Sequence, residues 1–252
     1  MKKITRVLFI SLILIGNAFA QEKTPPVKAD FVRTIPPSAR TMIGSLSKSV
    51  DVKILASQIK DTSSTAYGFT TGISKEKGSF KLGVLMADIE TTVRANDREK
   101  GSKAVRALVE GLSQLGAPLP LITAVINMGA AINSGVDLQA INKASIPIIR
   151  PFIEDFISKE GKMVYLRFGE WVQAMRLAAL AGEGGKMEVA ANFIKEVNMA
   201  DYFLIEFKNK GLPKGVIDSL KGIAELGKAK EIGGKEVRTT QKAIDTIFEI
   251  MG

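Results

Sequence analysis

Carboxylates are the side chains in this sequence that could carry out acid–base chemistry. The 252 residues include no His and no Cys, which removes the usual proton shuttle and the usual thiol nucleophile. A Ser-His-Asp triad, a His-based zinc site and an iron–sulfur cluster are therefore impossible. We expect no metal site and no cofactor, and we assign no catalytic residue.

Several carboxylates lie beside apolar or aromatic residues in predicted helices. Asp88 and Glu90 flank an apolar stripe, Glu154 and Asp155 are adjacent, and Glu170 precedes an aromatic residue. Two such groups with different pKa values could cleave a glycosidic bond, and an acid beside an aromatic suits a sugar-binding groove. Acids on amphipathic helices are ordinarily solvated, however. A carboxylate-dependent glycan-cleaving enzyme, built on Glu170 or on the adjacent pair, is therefore an alternative rather than the leading interpretation.

Arg167 and Trp171 form a second candidate group together with Glu170. Arg167 and Trp171 are four residues apart in a predicted helix, so their side chains share a face and could stack. Such a face could bind an anionic or aromatic ligand. The structural interpretation is that Trp171, the only Trp, anchors the core while Arg167 covers its edge.

Arg150 is unusual because it lies in an otherwise apolar run, Ile146–Ile153. If the guanidinium is buried, it needs an acidic partner. Asp88, inside its own apolar helix, is the partner that we expect. Arg150 and Asp88 therefore complete the candidate ligand-binding set of Arg167, Glu170 and Trp171.

The first twenty residues have the pattern of a cleaved signal peptide. Three basic residues precede the apolar run Val7–Ile15, and Ala18 and Ala20 form a small-x-small cleavage site before Gln21. With no Cys to accept a lipid, we expect an exported, soluble and unlipidated protein in the periplasm or the extracellular medium.

A Pro-rich leader, residues 21–37, follows the predicted cleavage site. Residues 21–80 contain nine Lys or Arg against five Asp or Glu, within a chain of formal net charge +9. This basic segment could contact an anionic surface weakly, or it could be a solvated arm. No basic stripe alternates with stacking aromatics, so we expect no nucleic-acid partner.

The remaining pattern predicts an all-α bundle of about eight to ten helices. Ser38, Asp51 and Asp137 are predicted N-caps, and residues 162–181 have a strong helical apolar pattern. Pro147 and Pro151 predict a kinked helix or two helices that meet near residue 148. The glycine-rich run at 182–185 separates a predicted main bundle, 38–182, from a C-terminal helical lobe, 183–252, packed on it.

Residues 111–136 carry no charge, and the helix within them is apolar nearly all round. Such a helix is either buried inside the protein or membrane-seeking. The prolines and asparagines in this stretch favour burial.

These features favour a non-enzymatic exported binding or interaction module, whose partner would be an envelope protein. The first alternative is a carrier of an apolar small molecule, lined by the uncharged helix, the 146–153 segment and the Trp171 helix. The three functions predict different pockets. An apolar closed pocket favours a carrier, an open groove with two acids favours hydrolysis, and the absence of a pocket favours an interaction protein.

Overall fold

The computed structural model describes residues 36–59 and 68–252. Helix accounts for 78% of these residues and they contain no strand, so the predicted all-α fold is confirmed. No helix in the described ranges is both long and apolar enough to cross a membrane. The predicted signal peptide and residues 21–35 of the predicted leader lie outside the described residues.

The helices pack as a bundle and include short segments that raise their number above the eight to ten predicted. In chain order they are α1 Ala39–Ser49, α2 Val52–Ser57, α3 Lys75–Arg94, α4 Arg98–Gln114, α5 Leu119–Asn133, α6 Leu138–Ala140, a π-helical turn Ile141–Ser145, α7 Ile146–Lys159, α8 Met163–Glu183, α9 Met187–Lys195, α10 Val197–Phe207, α11 Lys214–Gly227 and α12 Gly234–Met251.

Local capping residues set several of the helix ends. The side chains of Ser38, Asp51 and Asp137 accept hydrogen bonds from backbone N–H groups in the first turns of α1, α2 and α6, as predicted. Gly116 and Gly161 follow α4 and α7 with φ values of 77° and 66°. Left-handed geometry of this kind strains residues with a Cβ, which explains glycine at both positions.

The centre of the bundle is the pair α3 and α8, and both helices are buried along most of their length. A Cβ on Gly83 of α3 would overlap the carbonyl oxygen of Leu166, and a Cβ on Gly169 of α8 would overlap the carbonyl oxygen of Phe80. The two backbones are therefore in direct contact, which only glycine allows at these positions.

The uncharged helix α5 is not buried all round, so the prediction of full burial is wrong. Leu121, Val125 and Ile132 face the core, whereas Leu119 and Ile126 are exposed. α5 packs on α4 and lies beside α7. Its apolar composition indicates burial on every side. The prediction fails because a sequence does not reveal whether another helix covers the outer face.

The segment that contains the two prolines is a π-helical turn followed by α7. Pro147 lies in the first turn of α7, where its missing N–H is tolerated, and Pro151 lies inside the helix. The predicted kink near residue 148 stays a prediction. α9 and α12 pack on α8, and α11 packs on both α10 and α12; the predicted domain boundary at 182–183 also stays a prediction.

Candidate functional site

Arg150, Arg167 and Glu170 come together with Glu154 in a partly buried ion-pair network between α7 and α8. Arg150 donates to Glu154 at 2.5 Å and to Glu170. Arg167 donates to Glu170 at 2.9 Å and contacts Glu154 at 3.2 Å. The expected pairing of Arg150 with Asp88 is wrong, because the carboxylates that meet this guanidinium come from α7 itself and from α8.

The charges of this network compensate one another. Burial alone would lower the pKa of Arg167, but the attraction of Glu170 and Glu154 outweighs it and raises the pKa above the ordinary arginine value. Each carboxylate oxygen of Glu170 accepts from one arginine, and the side chain is wholly buried. Glu170 is thus fully engaged and faces no solvent, which makes it a structural ion rather than a group that meets a substrate.

Trp171 lies in an aromatic cluster in the core. It is 1% exposed, with its ring 5.3 Å from that of Phe203 and 6.2 Å from that of Phe168. The interpretation as a core anchor is confirmed. Within the part of the chain that the structure describes, no cation–π contact joins Arg167 to Trp171, because the guanidinium is turned to Glu154 and Glu170.

Asp88 and Glu90 lie on α3 but meet different partners. Asp88 is fully buried and accepts a hydrogen bond of 2.5 Å from Gln173 on α8. Glu90 pairs with Arg94 at 2.8 Å and with Arg40 at 3.4 Å. These contacts tie α3 to α8 and to α1.

Arg40 also donates twice to Asn142 of the π-helical turn, to the backbone carbonyl and to the side-chain oxygen, both at 2.9 Å. It thereby joins α1, α3 and the π-helical turn. The sequence does not predict this link, since Arg40 and Asn142 lie 102 residues apart and neither belongs to a recognisable motif.

An apolar groove of about 380 Å³ lies between α5 and α7. Asp155 and Lys159 are the charged residues in its lining, and they pair with each other at 2.7 Å. None of the five candidate residues from the sequence lines this groove. The lining residues are Pro118, Pro120, Leu121 and Ala124 at the start of α5, and Phe152, Asp155, Phe156 and Lys159 towards the end of α7.

Exposed apolar side chains continue the groove onto the outer surface of the same two helices. Leu119 is 72% exposed and Ile126 is 49% exposed on α5, while Ile148 is 64% and Phe152 is 59% exposed on α7. We call these four residues the α5–α7 apolar face. Single exposed apolar residues are ordinary on protein surfaces, and a group on two adjacent helices is a candidate interaction site.

A second, smaller pocket of about 20 Å³ lies among α3, α4, α5 and α7. Its wall is mostly apolar, with Glu90 and Arg150 as its charged members. This volume holds about one water molecule. One carboxylate oxygen of Glu90 has no hydrogen-bond partner among the described residues.

Within residues 36–59 and 68–252, no group of three or more acidic side chains could hold a metal ion. Comparisons of the chain with models of protein families, with curated proteins and with solved structures give no match.

Proposed function

We propose that this chain is an exported, non-enzymatic binding protein, and that its ligand is a small apolar molecule held in the groove between α5 and α7. The observation that carries the proposal is the groove itself, with a volume of about 380 Å³ and a lining that is apolar except for one ion pair. The groove is open to solvent at Phe152, which is 59% exposed, and so differs from the closed pocket expected of a carrier.

The size and chemistry of the groove suit such a ligand. Pockets for small molecules measure roughly 300–1,000 Å³ and combine apolar walls with a few polar groups that orient the ligand. Phe152 and Phe156 offer aromatic surface on one wall, and Pro118 and Pro120 offer rigid apolar surface on the other. Asp155 and Lys159 lie in the same lining, where they could orient a polar end of the ligand.

Two of the linings named in the carrier hypothesis contribute to the groove. The uncharged helix supplies one wall and α7, which contains the 146–153 segment, supplies the other. The Trp171 helix does not line it. We propose instead that Arg150, Arg167 and Glu170 act at a distance by fixing α7 on α8, and so hold one wall of the groove in place.

The groove gives little support to glycan cleavage. That chemistry needs two carboxyl groups roughly 5 to 10 Å apart on either side of the scissile bond. Asp155 is the carboxylate in the groove lining, and it is already paired with Lys159. Glu154, the neighbour of Asp155, pairs with Arg150 and Arg167 in the ion-pair network between α7 and α8.

Export rests on the sequence pattern of residues 1–20. We propose that cleavage after Ala20 yields an unlipidated protein in the periplasm or the extracellular medium, with the basic segment that follows available for weak contact with anionic surfaces. An apolar ligand in an aqueous compartment needs a protein that shields it from water. A groove with an apolar lining is consistent with this role.

The proposal is tested by titrating residues 21–252 with N-phenyl-1-naphthylamine, a small apolar dye that fluoresces on leaving water. We expect saturable binding. Ala124→Trp, which places a large ring in the groove, should weaken it about tenfold or more. Ala243→Trp on α12 is the matched control, because Ala243 is also a partly buried helical alanine but lies outside the groove lining. Equal dye affinity in both variants, or no saturable binding at all, would contradict the proposal.

A further inference from the structure

The small pocket among α3, α4, α5 and α7, which we call the Glu90 pocket, combines two charged side chains with an apolar wall. Its volume of about 20 Å³ is that of one water-sized group. Every residue that lines it is at most 9% exposed. Polar atoms buried without hydrogen bonds are unfavourable, so the charged members of this wall need partners.

Glu90 brings an unused acceptor to the pocket. Its side chain is 1% exposed, and Oε1 accepts from Arg94 at 2.8 Å and from Arg40 at 3.4 Å. Oε2 has no donor within the part of the chain that the structure describes. The two arginines therefore hold the carboxylate by one oxygen, and the other oxygen is left for a group that donates a hydrogen bond.

Arg150 brings an unused donor to the same pocket. Its Nε donates to Glu154 and its Nη2 donates to Glu170, whereas Nη1 meets no acceptor among residues 36–59 and 68–252. A guanidinium has five N–H groups, so two engaged nitrogens leave donors to spare. The Glu90 pocket thus has an acceptor on α3 and a donor on α7.

The size and the charges of the pocket select the group that fits. A carboxylate has three heavy atoms and would meet the negative Glu90. An ammonium group would meet the positive Arg150, and Arg40 and Arg94 already neutralise Glu90. A hydroxyl group has one heavy atom that both donates and accepts, so it satisfies Glu90 and Arg150 together.

The Glu90 pocket lies about one helical turn from the groove along both α5 and α7. On α5, Ala124 lines the groove and Met128 lines the pocket; on α7, Phe152 lines the groove and Ile149 lines the pocket. These steps of four and three residues correspond to about 6 Å and about 4.5 Å along the helices. Met128 has an unbranched side chain that adapts readily to a neighbour. A molecule with its apolar body in the groove is therefore long enough to place one end in the pocket.

We infer that the Glu90 pocket binds one hydroxyl group, which donates to Glu90 Oε2 and accepts from Arg150. Two molecules can supply this group: water, or a ligand whose apolar body lies in the groove. The ligand source rests on the proposed function, and it makes the carried molecule an apolar alcohol rather than a hydrocarbon or a fatty acid.

The ligand source is tested by displacing N-phenyl-1-naphthylamine with four compounds that share an eight-carbon chain: 1-octanol, methyl octyl ether, octanoate and octylammonium. The ether accepts a hydrogen bond but cannot donate one to Glu90. We expect 1-octanol to displace the dye at a concentration at least about tenfold lower than the ether does. Both ions should be weaker than 1-octanol.

Glu90→Gln should remove this preference. Its amide oxygen can stay with Arg40 and Arg94, which places an NH2 group where Oε2 was, so the pocket then offers donors alone. Alcohol and ether should displace the dye equally. Glu110→Gln, at an exposed position of α4, is the control and should keep the preference.

A second variant keeps the test valid where Glu90→Gln fails to fold. Ile149→Phe fills the pocket from α7 without altering the carboxylate, and it should also abolish the preference for 1-octanol. Ile157→Phe is its matched control, because Ile157 is a buried isoleucine of α7 outside the pocket lining. Circular dichroism establishes that each variant keeps its helix content.

The water source is tested by a high-resolution crystal structure of the unaltered protein without ligand. An ordered water within hydrogen-bond distance of both Glu90 Oε2 and Arg150, together with equal displacement by alcohol and ether, assigns the hydroxyl group to water. A preference for 1-octanol that Glu90→Gln or Ile149→Phe removes assigns it to the ligand.

Equal displacement without such a water would overturn the inference, as would strongest displacement by octanoate or octylammonium. A preference for 1-octanol that survives both pocket variants would overturn it too. The failure of the carrier function looks different. If the unaltered protein binds no dye, the carrier function is contradicted, and the crystal structure alone decides whether the Glu90 pocket holds a hydroxyl group.

Discussion

Arg150 on α7 donates to Glu170 on α8, and Glu170 is wholly buried. The side chains of the pair are 10% and 0% exposed, so two charges meet far from water. The pair is completed by Arg167 and Glu154, which leaves two positive and two negative groups in one network. α7 is consequently attached to the centre of the bundle by ions as well as by the isoleucines on its inner face.

Removing Arg150 should therefore destabilise the protein strongly. Arg150→Met leaves Glu170 with one guanidinium instead of two, and breaking a buried ion pair costs about 3 to 5 kcal/mol in the free energy of unfolding. Urea denaturation followed by circular dichroism measures this. Lys159→Met is the control, since its pair with Asp155 is exposed and such pairs contribute at most about 1 kcal/mol. Equal free energies of unfolding for the two variants would show that the Arg150 network stabilises the protein no more than the exposed pair does.

Glycine at positions 83 and 169 should be essential for the contact between α3 and α8. Gly83→Ala and Gly169→Ala each place a methyl group on a backbone carbonyl of the other helix, which cannot move aside as a side chain can. We expect a loss of about 3 kcal/mol or more in the free energy of unfolding.

Gly222 is the control position, because alanine there should stabilise the protein rather than destabilise it. It lies within α11, and a Cβ there would meet no atom within 4 Å. Gly222→Ala should therefore stabilise the protein by about 0.5 to 1 kcal/mol through helix propensity alone. If all three alanine variants were destabilised alike, the close contact between α3 and α8 would not explain the loss of stability in Gly83→Ala and Gly169→Ala.

The sequence predicted features that depend on neighbouring residues. Ser38, Asp51 and Asp137 cap helices because a short polar side chain reaches backbone N–H groups two or three residues away. The all-helical class followed from apolar spacing for the same local reason. The role of Gly83 was not predictable in this way, since it depends on which helix crosses α3 and where.

The candidate site shows the same limit. A buried Arg150 needs an acid, and it has two, Glu154 and Glu170. The sequence favours Asp88 instead, because both residues lie in apolar helices. Glu170 was considered for a groove because of the adjacent aromatic residue, whereas it faces two arginines in the core. The groove itself was only partly predictable, because a sequence shows which helices are apolar and not which of their faces stay uncovered.

Stability at acid pH should depend on the pair of Glu76 on α3 and Lys162 before α8. The hydrogen bond from Lys162 lowers the pKa of Glu76 below its ordinary value of 4.5. A carboxylate with a lowered pKa in the folded protein stabilises the fold above its unfolded pKa, and this contribution disappears as the pH falls through the folded pKa.

Glu76→Gln should therefore lower the free energy of unfolding near neutral pH by at most about 1 kcal/mol, because the pair is partly exposed. The difference from the unaltered protein should shrink as the pH falls below 4.5. Urea denaturation across this pH range measures it, with Glu110→Gln at an exposed position of α4 as the control. A difference that stays constant with pH would exclude the ion pair as its origin.

The single Trp reports on the core of the bundle. Trp171 is 1% exposed and packs between Phe168 and Phe203, so its fluorescence should be blue-shifted and protected from iodide. Trp171→Ala should reduce the free energy of unfolding by about 3 to 5 kcal/mol through lost burial and the cavity left behind. The emission also distinguishes the core from the groove, since an apolar ligand between α5 and α7 does not touch the indole. Saturating dye should leave iodide protection of Trp171 unchanged; solvent-like emission from the folded protein would falsify the placement of Trp171 in the core.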